Sequence, residues 1–143
     1  MPVPPKELIG LIQDFIPFNK FLGMRVVDLR PGFARIEVPF RPELIGDPSQ
    51  PALHGGVLSA LADATGGLAV WTGADDPRRR LSTIDLRVDY LRPARPELVA
   101  AEGTVVRVGH RLGVVDVRLF HPERGEVVAT GKGVYNVTLA KPR

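Results

Sequence analysis

The sequence predicts a single α+β domain in which an antiparallel β-sheet wraps around one long buried helix. Three observations support this prediction. Residues 54–72 are apolar almost throughout, and their helical core is about 24 Å long, the width of a small domain. The segments on both sides of it alternate apolar and polar residues, as half-buried strands do. The chain has 143 residues, so residues 1–143 are expected to share one core.

Composition narrows the functional classes. The chain is 44% hydrophobic and 24% charged, as ordinary globular proteins are, and it contains no cysteine for a disulfide or a thiolate nucleophile. A net charge of +3 is too small to indicate nucleic-acid binding but suits a modest anionic ligand. The first residues do not resemble a signal peptide, and no charge-free apolar run reaches about 18 residues. We therefore expect a cytoplasmic protein that does not contact membranes.

The N-terminal segment, residues 1–19, contains an amphipathic helix. Its apolar residues recur at helical spacing over 6–16, and Pro17 is expected to end it. Four side chains share the apolar face: Leu8, Leu11, Ile12 and Phe15.

Two strands and a loop lead into the long helix. Strands are predicted at 23–29 and 33–40, separated by a turn. Residues 41–53 are rich in Pro, Gly and Asp and form a loop that runs directly into the start of the helix. The helix ends at 73–77, and the basic run 78–80 after it is expected to be a solvated surface segment.

The C-terminal half predicts an antiparallel meander. The strand at 82–91 alternates apolar and polar side chains. Its apolar face carries Ile84, Leu86, Val88 and Tyr90. Its opposite face carries Thr83, Asp85, Arg87 and Asp89. Further strands are expected at 97–108, 111–120 and 126–138, with connections short enough for hairpins.

Asp63 is the strongest single candidate for chemistry, because it interrupts an otherwise apolar helix. Burying an unpaired carboxylate costs several kcal/mol, so Asp63 must be neutralised, hydrogen-bonded or in use. It is either a general base or nucleophile toward an acyl carbon, or a residue that only accepts structural hydrogen bonds. Ser59, one turn earlier, is either its partner or core filler.

The helix begins with His54, Gly55 and Gly56. A helix N-terminus presents unpaired N–H donors and a positive dipole end, so the two glycine amides are candidates for holding a developing oxyanion. The alternative is an ordinary glycine-rich helix start. His54 is expected to fix the preceding loop by hydrogen bonds rather than to act as a base.

The helix itself limits how Gly55 and Asp63 can work together. They are 8 residues apart, about 12 Å along the axis, whereas groups acting on one carbonyl must both lie within about 3–4 Å of it. If both act, they come from two copies of the chain, with the site across a two-fold interface. The pair Gly66–Gly67 marks either a close crossing of elements in such an assembly or a bend.

Other chemistries lack support. The histidines His54, His110 and His121 are scattered without metal-ligand spacing, so no metal site is expected. Phosphate-binding loops and the nucleophile elbow of serine hydrolases are also missing from the sequence. Several arginines lie at predicted strand ends or turns, where they either hold phosphates or are solvated: Arg92, Arg95, Arg107 and Arg111.

Two motifs together resemble the hotdog-fold acyl-CoA thioesterases of the phenylacetate-pathway (PaaI-like) type. The first is Leu-His-Gly-Gly-Val at 53–57, with a nine-residue step from His54 to Asp63, and the second is Tyr-Leu-Arg-Pro-Ala at 90–94. The resemblance covers about residues 20–138. It implies a sheet wrapped around the central helix, a homodimer that often pairs into a dimer of dimers, and hydrolysis of an acyl-CoA thioester. Coenzyme A is then part of the substrate, and no separate cofactor is implied.

The resemblance also assigns roles by position. Asp63 matches the catalytic carboxylate, the Gly55 amide matches the oxyanion donor from the other subunit, and Thr83 matches a hydroxyl that orients the attacking water. We include His54 in the candidate catalytic set as the residue that precedes Gly55 at the start of the helix. The expected substrate-binding set is Gly56, Ser59, Gln50, Arg92, Arg95 and Arg111, of which the arginines correspond to residues that hold coenzyme A phosphates.

One departure keeps other functions open. Many members of this family carry Asn in an Asn-x-x-Gly loop before His-Gly-Gly, and this loop has none. Either Gln50 or Ser49 replaces it, or the thioester carbonyl relies on Gly55 alone. A non-catalytic acyl-CoA binding protein on the same fold is therefore the alternative. A hydratase or dehydratase is disfavoured, because it needs a working His and His54 is poorly placed relative to Asp63 in one chain.

Overall fold

A computed structural model describes residues 6–139 and confirms the α+β class, with a curved antiparallel sheet around one central helix. Every predicted helix and strand is present, with small shifts at the ends. The elements are α1 (Lys6–Phe15), α2 (Pro17–Phe21), β1 (Arg25–Arg30), β2 (Phe33–Val38), a 3-10 turn (Pro42–Leu44), α3 (Gly55–Gly73), β3 (Arg79–Tyr90), β4 (Val99–Val108), β5 (Leu112–His121) and β6 (Glu126–Leu139).

The N-terminal segment forms two helices rather than one. Pro17 ends α1 as predicted, but it also begins the short helix α2, because proline is well suited to the first helical position. Ile12 packs against the core, whereas Phe15 is 83% exposed. The side chains of Leu8 and Leu11 lie outside the part of the chain that is described. None of the described helices, α3 included, is long and apolar enough to span a membrane.

The predicted meander is wrong at its first strand. The sheet order is β1-β2-β4-β5-β6-β3, so β3 lies at an edge beside β6, and the connection from β3 crosses the end of the sheet to reach β4 beside β2. Pro93 and Pro96 lie in that connection, where they remove N–H donors that a hairpin ladder would need. β3 instead pairs along its full length with the longer strand β6.

A bulge changes which residues of β3 face the helix. The register with β6 shifts between Thr83 and Asp85, which leaves Ile84 as an extra residue. Ile84 is consequently 56% exposed, although the alternation predicts it on the apolar face. Since a one-residue slip exchanges the two faces of a strand, Thr83 turns toward α3, on the side of the sheet where Leu86 and Val88 pack.

Only one side of α3 is fully buried by the chain's own sheet. Leu61, Thr65 and Val70 are completely buried, and a Cβ at Gly103 of β4 would lie 3.1 Å from the Thr65 carbonyl oxygen, so the helix and sheet are in close contact. The other side of the helix is only partly covered and carries Ala60, Ala64 and Leu68. The prediction of one long buried helix therefore holds, in a single chain, for only one side of α3.

The basic run at 78–80 is only partly a solvated segment. Arg78 is exposed and pairs with Asp76 at 2.7 Å. The Arg79 side chain is 11% exposed, because it forms an ion pair with Asp75 at 2.9 Å and begins β3.

Candidate active site

Asp63 lies half-buried in the middle of α3, and its carboxylate is held from one side. Its Oδ1 accepts a hydrogen bond from Thr83 Oγ1 at 2.8 Å, and the Tyr135 hydroxyl lies 3.2 Å from the same oxygen. The Tyr135 hydroxyl also lies 2.8 Å from the Asp63 carbonyl oxygen, so its single proton is shared between that oxygen and Oδ1. Within residues 6–139, Oδ2 accepts no hydrogen bond. The carboxylate is therefore oriented, with one oxygen left for a water or an acyl carbon.

Tyr135 is a site residue that sequence reasoning missed. It lies on β6 and is 2% exposed. Burial raises the pKa of the Tyr135 phenol, and the neighbouring Asp63 charge raises it further. The hydroxyl consequently stays protonated and acts as a neutral donor to Asp63.

Three glycines make room for the Tyr135 ring. These glycines are the feature of the sequence that could have indicated a large side chain close to α3. A Cβ at Gly66 or at Gly133 would lie 2.6 Å from a Tyr135 atom, and a Cβ at Gly67 would lie 3.3 Å from its Cε1. The Gly66–Gly67 pair therefore does mark a close crossing, but the element crossed is β6 of the same chain.

Thr83 reaches Asp63 because of the β3 bulge. Its hydroxyl proton is directed at Asp63 Oδ1. A threonine hydroxyl has one proton and two acceptor lone pairs, so Thr83 can meet a water only as an acceptor while this bond lasts. Its first role in this geometry is to orient the carboxylate.

His54 caps α3, as the sequence predicts for a structural role. Its Nδ1 accepts a hydrogen bond from the Gly56 N–H at 2.8 Å, and its own backbone N–H donates to the Leu44 carbonyl at 2.8 Å. The Gly56 amide is thus occupied. The Gly55 amide is at the first helical position, where an N–H has no acceptor within the helix. Of the two glycine amides, Gly55 is the one available to a ligand.

The Tyr-Leu-Arg-Pro-Ala motif at 90–94 is hydrogen-bonded to the start of α3 and to the residue before His54. The Tyr90 hydroxyl donates to the Gly55 carbonyl at 3.1 Å and also hydrogen-bonds Ser59 Oγ. The Leu53 N–H donates to the Ala94 carbonyl at 2.9 Å. Ser59 is therefore neither the partner of Asp63 nor core filler, because it pairs with Tyr90.

One chain presents the two candidate groups at separate places along β3. Gly55 lies against Tyr90, near the end of that strand, and Asp63 lies against Thr83, near its start. The separation of about 12 Å inferred from the helix rise therefore holds in the folded chain. One chain therefore does not bring both groups to the same carbonyl.

The expected phosphate-binding arginines are divided between the two ends of β3. Arg92 and Arg95 follow its C-terminal end, and Arg95 lies 3.7 Å from Glu126. Arg111 follows His110, whose carbonyl oxygen lies 3.3 Å from the Arg79 guanidinium at the opposite end of the strand. At about 3.3 Å per residue, a strand of 12 residues is at most about 40 Å long, and Arg111 lies near the opposite end of it from the other two. A single chain therefore does not bring all three together.

The loop before α3 carries Gln50 in an exposed turn. Its backbone N–H donates to the Asp47 carbonyl at 3.2 Å, and Ser49 bonds the Asp47 carboxylate through its hydroxyl at 2.7 Å. Ser49 is thereby engaged within the loop, and Gln50 is the candidate whose side chain remains exposed.

His, Asp and Glu side chains do not gather in threes at any place in the described residues where a metal ion could be held. His121, which is fully buried, instead serves the fold. Its Nε2 accepts from the Arg95 N–H at 2.9 Å and its Nδ1 bonds the Leu98 carbonyl at 2.9 Å.

Comparison with known proteins assigns the family. The model of the thioesterase superfamily matches residues 50–128, a segment that contains Gly55, Asp63 and Thr83. The chain belongs to the thioesterase superfamily. This confirms the resemblance at superfamily level and, with it, the expected class of enzyme, a thioester hydrolase.

Individual members of the thioesterase superfamily resemble the chain over nearly its whole length. It is 37% identical to the medium/long-chain acyl-CoA thioesterase YigI of Escherichia coli K12, with 92% of each chain covered. A solved structure from Shewanella oneidensis, described as related to the thioesterase superfamily, has a TM-score of 0.82 and 33% identity, with 92% of this chain and 93% of that chain covered. A thioesterase family protein from Silicibacter pomeroyi has a TM-score of 0.81 at 25% identity, covering 88% and 92%. The predicted hotdog fold is thereby confirmed.

Proposed function

We propose that this chain hydrolyses acyl-CoA thioesters to a free acid and coenzyme A. The observation that carries the proposal is the Asp63 carboxylate, whose Oδ1 is held by Thr83 and Tyr135 while Oδ2 accepts nothing from the described residues. Such a group either takes a proton from an attacking water or attacks the thioester carbon itself.

A second protomer supplies the oxyanion donor. Hydrogen-bond donors stabilise a tetrahedral intermediate only where its oxygen develops charge, and the Gly55 amide of the same chain is about 12 Å from Asp63. The Gly55 amide of a partner protomer, at the positive end of the partner's α3, fills this role. As the thioester carbonyl is attacked, that amide donates to the oxygen and the coenzyme A thiolate leaves.

The edge strand β3 supports this pairing. It is 12 residues long and lies at an edge of the sheet, and long unpaired edges readily pair with another chain. Antiparallel pairing of two β3 strands about a two-fold axis between Leu86 and Arg87 brings the Thr83 region of one chain beside the Tyr90 region of the other. Asp63 and the partner's Gly55 then face one substrate.

The same pairing explains how separated arginines serve one ligand. It carries the partner's Arg111 from the far end of β3 toward Arg92 and Arg95. We assign these guanidinium groups to the phosphates of coenzyme A, which they bind by charge-assisted hydrogen bonds.

The test is a thiol-release assay over a panel of acyl-CoA thioesters. Asp63→Asn should lower kcat by at least about 10²-fold, because the amide cannot act as a base or nucleophile. Asp116→Asn is the matched control, since Asp116 is an exposed aspartate on β5 paired with Lys132. Full turnover by Asp63→Asn would refute the role of Asp63. Binding of acyl-CoA without thiol release by the wild-type protein would replace the proposal with a non-catalytic binding function.

A further inference from the structure

An open cavity of about 310 Å³ lies beside the start of α3. Its walls come from α2, from the segment that follows β2, and from the first turn of α3. Six apolar side chains line it: Phe18, Phe21, Leu22, Leu44, Ile45 and Val57. We refer to it as the α2 groove.

The α2 groove adjoins the proposed oxyanion donor. His54 and Gly56 also line it, and Gly55 lies between them in the chain. A carbonyl oxygen held by the Gly55 amide therefore places the rest of the acyl group next to this groove.

The lining favours an apolar ligand. Phe18 is 56% exposed and Phe21 is 68% exposed, so both present aromatic surface that the single chain does not cover. The volume is at the lower end of the range of about 300–1,000 Å³ that small-molecule pockets occupy, and such pockets are lined mainly by apolar side chains.

Arg41 fixes α2 as a wall of the groove. Its guanidinium donates to the Phe21 carbonyl oxygen at 2.5 Å, lies 5.3 Å from the centre of the Phe21 ring, and approaches Glu43 at 3.9 Å. The positive charge of Arg41 is thus directed at the end of α2 and at Glu43. Because that charge is engaged there, the α2 wall of the groove offers hydrocarbon surface to a ligand.

We propose that the α2 groove binds the acyl chain of the thioester substrate and that α2 sets the preferred chain length. This inference depends on the proposed function and names its substrate class as acyl groups with an extended aliphatic chain. The name of the Escherichia coli relative, a medium/long-chain acyl-CoA thioesterase, agrees with that class.

The first experiment compares acetyl-, hexanoyl- and decanoyl-CoA. In the wild-type protein, kcat/KM should rise with chain length by up to roughly fourfold per buried methylene. Ile45→Trp adds bulk to a half-buried lining position, and should lower kcat/KM for decanoyl-CoA at least about tenfold and that for acetyl-CoA much less. Phe21→Ala removes part of the wall and should flatten the dependence on chain length. Circular dichroism and urea denaturation establish that both variants are folded.

Phe15→Ala is the matched control. Phe15 is also an exposed phenylalanine of the N-terminal helices, but it does not line the groove, so its removal should leave the chain-length profile unchanged. An equal effect of Phe15→Ala and Phe21→Ala would overturn the assignment, because a general loss of surface hydrophobicity would then explain both.

A binding measurement separates this inference from the proposed function. In the Asp63→Asn background, calorimetry should show tighter binding of decanoyl-CoA than of acetyl-CoA, and Ile45→Trp should abolish the difference. Unchanged profiles in both groove variants would overturn the groove as the acyl site, even with thioesterase activity established. Unchanged chain-length profiles together with an altered oligomeric state would also overturn it, because the groove would then be a protein interface. Absence of hydrolysis of every thioester in the panel would instead contradict the proposed function.

Discussion

Asp63 owes its orientation to two hydroxyl groups that reach it from strands on the inner side of the sheet. Thr83 comes from β3 and Tyr135 from β6, and both address Oδ1. Two hydrogen-bond donors on one oxygen restrict the rotation of the carboxylate group. The pair therefore fixes its orientation, and Oδ2 has no partner among the described residues.

Tyr135→Phe tests this role, since it removes the hydroxyl and keeps the ring. The carboxylate loses one of the two groups that orient it, so kcat should fall while KM changes little. A hydrogen bond to a charged group contributes about 1.5–3 kcal/mol, so kcat should fall by about tenfold or more. Steady-state kinetics near neutral pH separate kcat from KM, and urea denaturation measures the stability of the variant.

Thr83→Val is the companion variant and should also lower kcat more than it changes KM, because Thr83 donates to the same oxygen. A Tyr135→Phe protein that is less stable but keeps the wild-type kcat would show that Tyr135 serves only packing.

The sequence offers Asp63 as a candidate but gives no sign of Tyr135, for physical reasons. A lone carboxylate in an apolar helix is costly unless it is neutralised, hydrogen-bonded or in use, so it stands out in the sequence. A tyrosine in an alternating strand is indistinguishable from core packing until its hydroxyl partner is known. The separation of Arg111 from Arg92 was equally hidden, because it depends on strand order rather than on residue type.

At the level of elements, the crossing of α3 and β6 depends on Gly66. Alanine normally favours a helix over glycine by about 1 kcal/mol. A Cβ at this position, however, would lie 2.6 Å from the Tyr135 hydroxyl and 2.9 Å from Val115 Cγ1, both in the core. Gly66→Ala should therefore lower the free energy of unfolding by about 1–3 kcal/mol, measured by urea denaturation.

Gly10→Ala is the control for that variant. Gly10 is also helical, and nothing lies within 4 Å of a Cβ built there, so alanine should be neutral or stabilising. Equal stabilisation by both substitutions would contradict the tight crossing of α3 and β6.

The element order was predictable, but the path of the chain through the sheet was not. Alternating residues revealed each strand, whereas the pairing of β3 with β6 follows from long-range contacts that no local pattern encodes. The alternation of apolar and polar residues likewise does not reveal the bulge at Ile84. This bulge turns Thr83 toward Asp63.

At the level of the whole molecule, one chain leaves three features incomplete. Among the described residues, the outer edge of β3 is unpaired over 12 residues, one side of α3 is partly uncovered, and Gly55 and Asp63 are too far apart for one carbonyl. In the proposed dimer, a second copy along β3 would complete the strand pairing and the site together.

A proline at position 55 gives a selective probe of the oxyanion donor. Proline is favoured at the first helical position and lacks only the N–H, and His54 already has the extended backbone, with φ −58° and ψ 133°, that precedes proline well. Gly55→Ala is its control, because it adds a Cβ at 3.4 Å from Tyr90 but keeps the donor. Removing such a donor should lower kcat about 10²–10³-fold in Gly55→Pro.

The most direct test mixes two inactive proteins. Asp63→Asn keeps the Gly55 amide, and Gly55→Pro keeps the Asp63 carboxylate, so a mixed dimer contains one intact site in which each chain supplies one half. After co-expression in equal amounts, random pairing makes half of the dimers mixed, and thiol-release activity should recover to about one quarter of the wild-type value per dimer. Activity no higher than that of either variant alone, with mixed dimers confirmed by differential tagging, would contradict a site shared between two chains.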